Sequence, residues 1–187
     1  MVVSYRAFIS YNHAASQTFA KTLELAIKRY AKQVWQRPFA VFRDEKYRRL
    51  TSDLPVLIRE VGDSAEFLIY VASSETAASH WVKEELEYWC ADAAKLQTMV
   101  IVLTSGPIEF NARSKRIDWL TTTALPRLVS NNLEFVPAYV DLSWADQPAQ
   151  QPVLVQDDKK AISTIVATLR DVDPAELSDI AIKEFHR

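Results

Sequence analysis

Residues 79 to 89, SHWVKEELEYW, set three glutamates among bulky aromatics at helical spacing. At 100° per residue, Val82, Leu86, Trp89 and Ala93 make the buried stripe of such a helix. Glu84 then lies roughly opposite the stripe, Glu87 lies out on the solvent side, and Glu85 falls on the stripe's flank. Trp81, one turn before Glu85, shares that flank and can cover it. A carboxylate half-buried against an indole is pushed toward its neutral form unless a cation or donor compensates, and groups so placed are typical of functional sites. The bland alternatives have the same spacing. Three glutamates also describe a solvated helix face, and Trp81 alone describes a core or rim aromatic. Among other polar residues near strand ends, Ser10 and Asn12 could be ordinary loop groups, and Arg43 with Asp44 a capping or turn pair.

Several other chemistries are disfavoured by what the chain contains. Its two glycines, Gly62 and Gly106, stand in neither a GxGxxG nor a GxxxxGK pattern, so no glycine-rich loop lets the backbone approach a phosphate as in a P-loop or a dinucleotide-binding Rossmann motif. His13, His80 and His186 are scattered and Cys90 is the sole cysteine, which gives no zinc spacing, weak support for a hydrolytic triad and no internal disulfide. That cysteine usage suits a reducing, cytoplasmic compartment. A formal net charge of −2 supplies no electrostatic case for nucleic acid or a membrane surface. No apolar run approaches the roughly 20 residues of a membrane span, and MVVSYRAFISY does not read as a secretion signal.

With 187 residues, 49% of them apolar and 25% charged, the chain is expected to build one core in one domain. Strand-like and helix-like segments alternate along it. YRAFISY (5–11) reads as a strand, followed by a helix whose Phe19, Leu23, Ile27 and Tyr30 recur at steps of three and four. FAVFRD (39–44) reads as a second strand. LPVLIREVGDSA reads as a helix with Ser52 or Asp53 as its cap and Pro55 in its first turn. The strand EFLIYVAS (66–73) and the Glu85 helix come next. TMVIVLTSG (98–106) is the most continuous apolar run, as a central parallel strand buried on both faces requires. FVPAYVDLSW (135–144) is the fifth strand, where Pro137 favours an edge or a strand start. A connection over 107–134 should hold a short helix, 145–158 should be a Pro/Gln-rich loop, and KKAISTIVATLRD should be the last helix.

This alternation implies an α/β fold, a flavodoxin-like doubly wound parallel sheet of five strands with flanking helices. Ligands of such sheets bind beyond the carboxyl ends of the strands, where strand order reverses. The stretches to search are SYN at 10–12, RDEKY at 43–47, SSE at 73–75 and TSG at 104–106.

Those stretches, in this order, resemble the Toll/interleukin-1 receptor (TIR) domain. YRAFISYN resembles that family's first box, VFRDEKYRRL its second strand and BB loop, and SHWVKEEL its S-x-W-x-x-x-E-L helix signature; together they span roughly residues 3 to 105. FISYNHAAS, VFRDE, WLTTTALP and the terminal ELSDIAIKEFHR are similar to bacterial TIR domains at the N-terminus of multidomain proteins. The resemblance implies a TIR domain over 1–172 and a charged helix or linker over 173–187 toward a downstream sensor, repeat or NTPase-type domain.

For many members the resemblance also implies cleavage of NAD+ at the nicotinamide–ribose bond, with NAD+ as substrate and no cofactor or metal. The family's catalytic glutamate stands four residues after the helix tryptophan, which selects Glu85, the residue that the helical wheel selected. Trp81, Ser10, Asn12, Arg43 and Asp44 then line the substrate pocket, with Arg43 suited to a pyrophosphate. Water as acceptor yields ADP-ribose, and an internal nucleophile of the nucleotide yields a cyclic isomer. Members assemble through TIR–TIR contacts and the BB loop, which implies a homo-oligomer that is switched on by assembly, in bacterial antiphage defence or signalling. The alternative is a non-enzymatic scaffold working through the same contacts. A phosphoacceptor receiver of this topology lacks support, since Ser-Tyr-Asn replaces the acidic pair expected after the first strand. Two departures stand out: EKYRRLTSD lacks the family's BB-loop glycine, and TSGPIEF lacks the tryptophan that some members place after the fourth strand, with only Phe110 nearby and Trp119 distant.

Overall fold

The structure, a computed structural model, describes residues 4–35, 39–43, 54–133, 138–145, 159–173 and 175–176. In chain order it forms β1 (Tyr5–Ser10), α1 (His13–Trp35), β2 (Val41–Arg43), α2 (Leu54–Ser64), β3 (Ala65–Ala72), α3 (Ser74–Ala78), α4 (His80–Cys90), α5 (Ala93–Leu96), β4 (Met99–Leu103), β5 (Ala138–Asp141) and α6 (Lys159–Arg170). Single 3-10 turns occupy Arg127–Val129 and Ser143–Ala145. The strands form one sheet in the order β2-β1-β3-β4-β5, and every pairing is parallel. This is the flavodoxin-like arrangement expected from the alternation.

Apolar residues on alternate strand positions feed two cores. Ala7, Ile9, Ile69, Val71, Val100, Val102 and Val140 pack beneath α1 and α6, while Phe8, Leu68, Tyr70, Ala72, Met99, Ile101 and Leu103 face α2, α4 and the 107–133 segment. All five residues of β4 are buried. Because both faces of β4 are covered, its sequence MVIVL shows no alternation. Tyr70 Oη donates to the Ala124 carbonyl at 3.1 Å, which satisfies a buried hydroxyl and fastens the long 107–133 connection onto the sheet. That connection carries only the turn at Arg127–Val129 in place of the short helix expected there.

Three boundaries differ from the sequence reading. The helix carrying Glu85 does not start directly after β3: α3 comes first, capped by Ser73 Oγ accepting from the Thr76 amide, and Ser79 lies at the junction with α4. α4 stops at Cys90, and Asp92 caps a new turn by accepting from the Ala94 amide. Cys90 therefore takes the fourth buried position beside Val82, Leu86 and Trp89, and Ala93 is exposed instead. The local capping of Asp92 breaks the wheel before it reaches Ala93. β2 and β5 are shorter than read, Val41–Arg43 and Ala138–Asp141, and both are edge strands. Asp44, the BB-loop stretch through Asp53, Pro137 and residues 177–187 lie outside the described residues. Pro55 does stand in the first turn of α2.

Candidate functional site

Strand order reverses between β1 and β3: α1 carries the chain from β1 out to β2, and the next strand, β3, returns to pair with β1 on its other side. β1 ends at Ser10, opposite Tyr70, and β3 runs two residues further to Ala72. Side chains alternate across a strand, so Ser10 follows Phe8 onto the α4 face, while Ile9 and Tyr11 turn to the α1 face. Ser10 is 1% exposed.

On the α4 face the Ser10 hydroxyl donates to Glu85 Oε2 at 2.5 Å. This is the short distance of a charge-assisted bond. Glu85 is half-buried, Glu87 is exposed, and Glu84 is engaged by His80 Nε2 at 2.9 Å. Thus α4 presents one of its three glutamates to the strand end. Its position follows from local pattern: Val82, Leu86 and Trp89 pin one stripe of the helix to the sheet, and Glu85 at that stripe's edge is carried to the end of β1. Trp81, one turn earlier, is 42% exposed and lies beside His80, with ring centroids 6.0 Å apart. It stands at the rim on the same flank, partly exposed.

Asn12 has structural duties. Its Oδ1 accepts from the amides of Ala14 and Ala15 at 3.0 and 2.9 Å, capping α1, and its Nδ2 donates to the Glu75 carbonyl at 3.1 Å. The cap fixes the side chain at the crevice rather than removing it.

Arg43 is on the other face. As the residue after Phe42 in β2, it turns toward α1, where Nε donates to Glu24 Oε2 at 2.9 Å and Nη1 donates to Tyr11 Oη at 3.4 Å. Lys28 binds the other oxygen of Glu24. Burial alone would raise the Glu24 carboxyl, but the bonds and charges of Lys28 and Arg43 outweigh it and hold Glu24 below its ordinary 4.5. Tyr11 in turn stacks on His13, with ring centroids 4.4 Å apart and planes at 17°. Arg43 and Glu85 therefore meet the strand ends from opposite sides of the sheet, and Asp44, next in sequence, falls outside the described residues.

Two features at the mouth were not legible in the pattern. Glu75, in the first turn of α3, is exposed; Ser105 Oγ stands 3.5 Å from its Oε2, and its carbonyl is held by Asn12. The stretch SSE marks a strand end, but nothing in its spacing separates Glu75 from an ordinary acid in a first helical turn. Glu24, between Leu23 and Leu25, gives no sign in sequence that it will meet Arg43. Gly106, just past β4, has φ of +76°, and a Cβ there would stand 2.5 Å from Ser74 Oγ and 3.0 Å from Thr123 Oγ1. Ser74 and Thr123 hydrogen-bond to each other at 2.8 Å, so only glycine lets the β4 exit pass beneath that clasp.

Phe110 pairs edge-on with Tyr139 at 6.5 Å, against β5, and Trp119 packs partly buried on the α4-side core. Cys90 is buried, which pushes its thiol up to about 11 and makes it a poor nucleophile. Among the described residues no group of three or more His, Cys, Asp or Glu side chains is arranged to hold a metal ion, and no helix is long and apolar enough to cross a membrane.

No family model matches the chain. The chain is 31% identical over 175 residues to a curated protein of an Actinoplanes species, "NAD(+) hydrolase ApTIR"; the match covers 92% of this chain and 24% of that protein. The chain thus spans about a quarter of the length of the curated relative that it matches.

Proposed function

The chain belongs to the bacterial TIR domains, and from that premise we propose that it is an NAD+ nucleosidase, cleaving the bond between nicotinamide and ribose. The observation that carries this reading is the Glu85 carboxylate, half-buried and bonded by Ser10 Oγ at the strand-order reversal, one turn after Trp81. The name of the relative from Actinoplanes supports the same chemistry.

Nicotinamide leaves NAD+ as a neutral base, because the electron pair of the C1′–N bond returns to a pyridinium nitrogen. No acid is needed. The difficulty is the positive charge left on the ribose, an oxocarbenium-like centre that a fixed carboxylate stabilises electrostatically. Ser10 fixes one oxygen of Glu85, so the carboxylate does not have to reorganise as charge develops. The exposed face of Trp81 covers the ribose or base and limits water. Asn12 borders the ribose from the end of β1. A place for Arg43 and Asp44 at the pyrophosphate requires the Arg43 guanidinium to turn from Glu24 on the α1 face toward the strand end. Water then adds to C1′, loses a proton to solvent and yields ADP-ribose; capture by a nucleophile within the nucleotide yields a cyclic isomer instead.

Assembly through TIR–TIR contacts and the 44–53 loop switches the activity on, and a sensor region beyond residue 172 drives it, in defence against phage or in signalling. The test is to tether the protein at high local density, incubate it with NAD+ and separate the nucleotides by chromatography. Nicotinamide should appear with ADP-ribose or a cyclic product, and Glu85→Ala should lower the rate by about 100-fold or more, the scale of losing one preorganised charge-stabilising group. A tethered wild type that binds itself tightly yet leaves NAD+ intact over long incubation would establish the scaffold reading in its place.

A further inference from the structure

Helix α1 carries Lys21, Lys28, Arg29 and Lys32 against a single acid, Glu24. Both Glu24 oxygens are taken, one by Lys28 and the other by Arg43. Lys21, Arg29 and Lys32 remain exposed, and no salt bridge joins them to another described residue. At 100° per residue these three cations fall within about 80° of one another, with Leu25 among them. Leu25 is 55% exposed. The outer face of α1 is therefore a basic stripe around an uncovered aliphatic side chain.

Helix α2, on the opposite face of the sheet, carries the complement. Val56 is 49% exposed, and Glu60 and Asp63 follow it on the solvent side. Asp63 accepts from Tyr88 Oη of α4. Burial, the Asp63 bond and the charges of Asp63 and Asp92 push that phenol up to about 12 against the opposing charge of Arg59, which marks the field there as acidic. The two helices share one pattern: an aliphatic residue, then a charge four and seven residues later. It reads Leu25, Arg29, Lys32 on α1 and Val56, Glu60, Asp63 on α2, with opposite signs. Because every strand pairing is parallel, α1 and α2 each return the chain toward the start of a strand and run in the same direction. A second copy stacked in the same orientation thus lays its α1 parallel to the α2 of the first. With Leu25 on Val56, Arg29 comes level with Glu60 about 6 Å along the axis, and Lys32 with Asp63 about 10 Å along. Lys28 and Arg59, each three residues after the aliphatic, fall on opposite flanks of that contact.

We infer that α1 of one copy docks on α2 of a second copy through these matched faces. Since the two faces lie on opposite sides of the sheet, each docked copy keeps one of each free, and the contact repeats as an open stack. Two helices make a small interface, so the stack forms at high local density. The contact goes beyond the nucleosidase reading and is tested without NAD+, so failure of one leaves the other standing.

The experiment follows self-association of the purified chain by sedimentation velocity over a concentration series at low and high salt. The wild type should associate at low salt and less at high salt, because exposed charges are screened beyond about 10 Å at 0.1 M. Arg29→Glu and Glu60→Arg should each raise the dissociation constant by about 10-fold or more, since like charges then meet. The chain carrying both substitutions should recover association, and so should an equimolar mixture of the two single variants, because opposite charges again face each other. Both side chains are exposed, so melting temperatures should stay at the wild-type value. A wild type that remains monomeric at low salt, or single variants that associate as it does, overturns the inference. So does a doubly substituted chain that stays dissociated with its melting temperature intact.

Discussion

Ser10→Ala isolates the hydroxyl that holds Glu85. The change removes one oxygen from a position that is 1% exposed, leaves no cavity of consequence and touches no backbone bond. What it deletes is the 2.5 Å bond to a half-buried carboxylate. Hydrogen bonds to charged groups contribute about 1.5 to 3 kcal/mol, and since water can reach part of Glu85 the lower end applies. A loss of about 1.5 kcal/mol should lower the melting temperature by about 3 to 6 °C in a chain of this size. If the same bond holds the carboxylate in its reactive pose, turnover should fall by about 10-fold. The informative assay is a double-mutant cycle: thermal or urea unfolding of wild type, Ser10→Ala, Glu85→Ala and the double variant, with nicotinamide release measured for the first two. In the Glu85→Ala background Ser10 is a buried hydroxyl without its acceptor, so replacing it by alanine should cost nothing further, giving a coupling of about 1.5 kcal/mol. Equal destabilisation by Ser10→Ala in both backgrounds would refute the bond as the cause, and an undiminished rate in Ser10→Ala would refute its part in catalysis.

The remaining expectations concern the elements around that pair. Gly106→Ala should destabilise the fold by about 1 to 2 kcal/mol through the left-handed backbone alone, with the Ser74–Thr123 clasp forced apart in addition; unfolding curves check this, and an unchanged midpoint would mean that the β4 exit has another conformation open to it. For Glu24, whose carboxyl is held below 4.5, the folded state binds its proton less readily than the unfolded chain. Its stabilising contribution is therefore complete above pH 4.5 and is lost as pH falls through the lowered folded value. Glu24→Gln should lower stability at neutral pH and flatten the acid limb of a stability-versus-pH curve below 4.5, which denaturant midpoints taken across that range would record.

The periodicities of this sequence were enough for five parallel strands and for the helices α1, α2, α4 and α6. The apolar runs of β1 and β3, the uninterrupted burial of β4 and the three-to-four spacing in α1 and α4 are local properties that carry into the fold. Glu85 was legible for the same reason: its angle to Val82, Leu86 and Trp89 is fixed by helical geometry before anything packs. The end of α4 was misplaced because the Asp92 cap, worth more locally than one further apolar step, restarts the chain ahead of Ala93.

Contacts between distant segments could not be read in this way. Whether Ser10 or a water meets Glu85 depends on how α4 lies over β1, 75 residues away in sequence. That Arg43 turns to Glu24 on the α1 face is settled by β2 parity and by the seating of α1, and Glu24 carries no mark in sequence that separates it from its neighbours. Sequence decided which side chains each element offers to each face; tertiary packing decided which offered groups meet, because hydrogen bonding and charge pairing act over a few ångströms and chain connectivity alone does not set those distances.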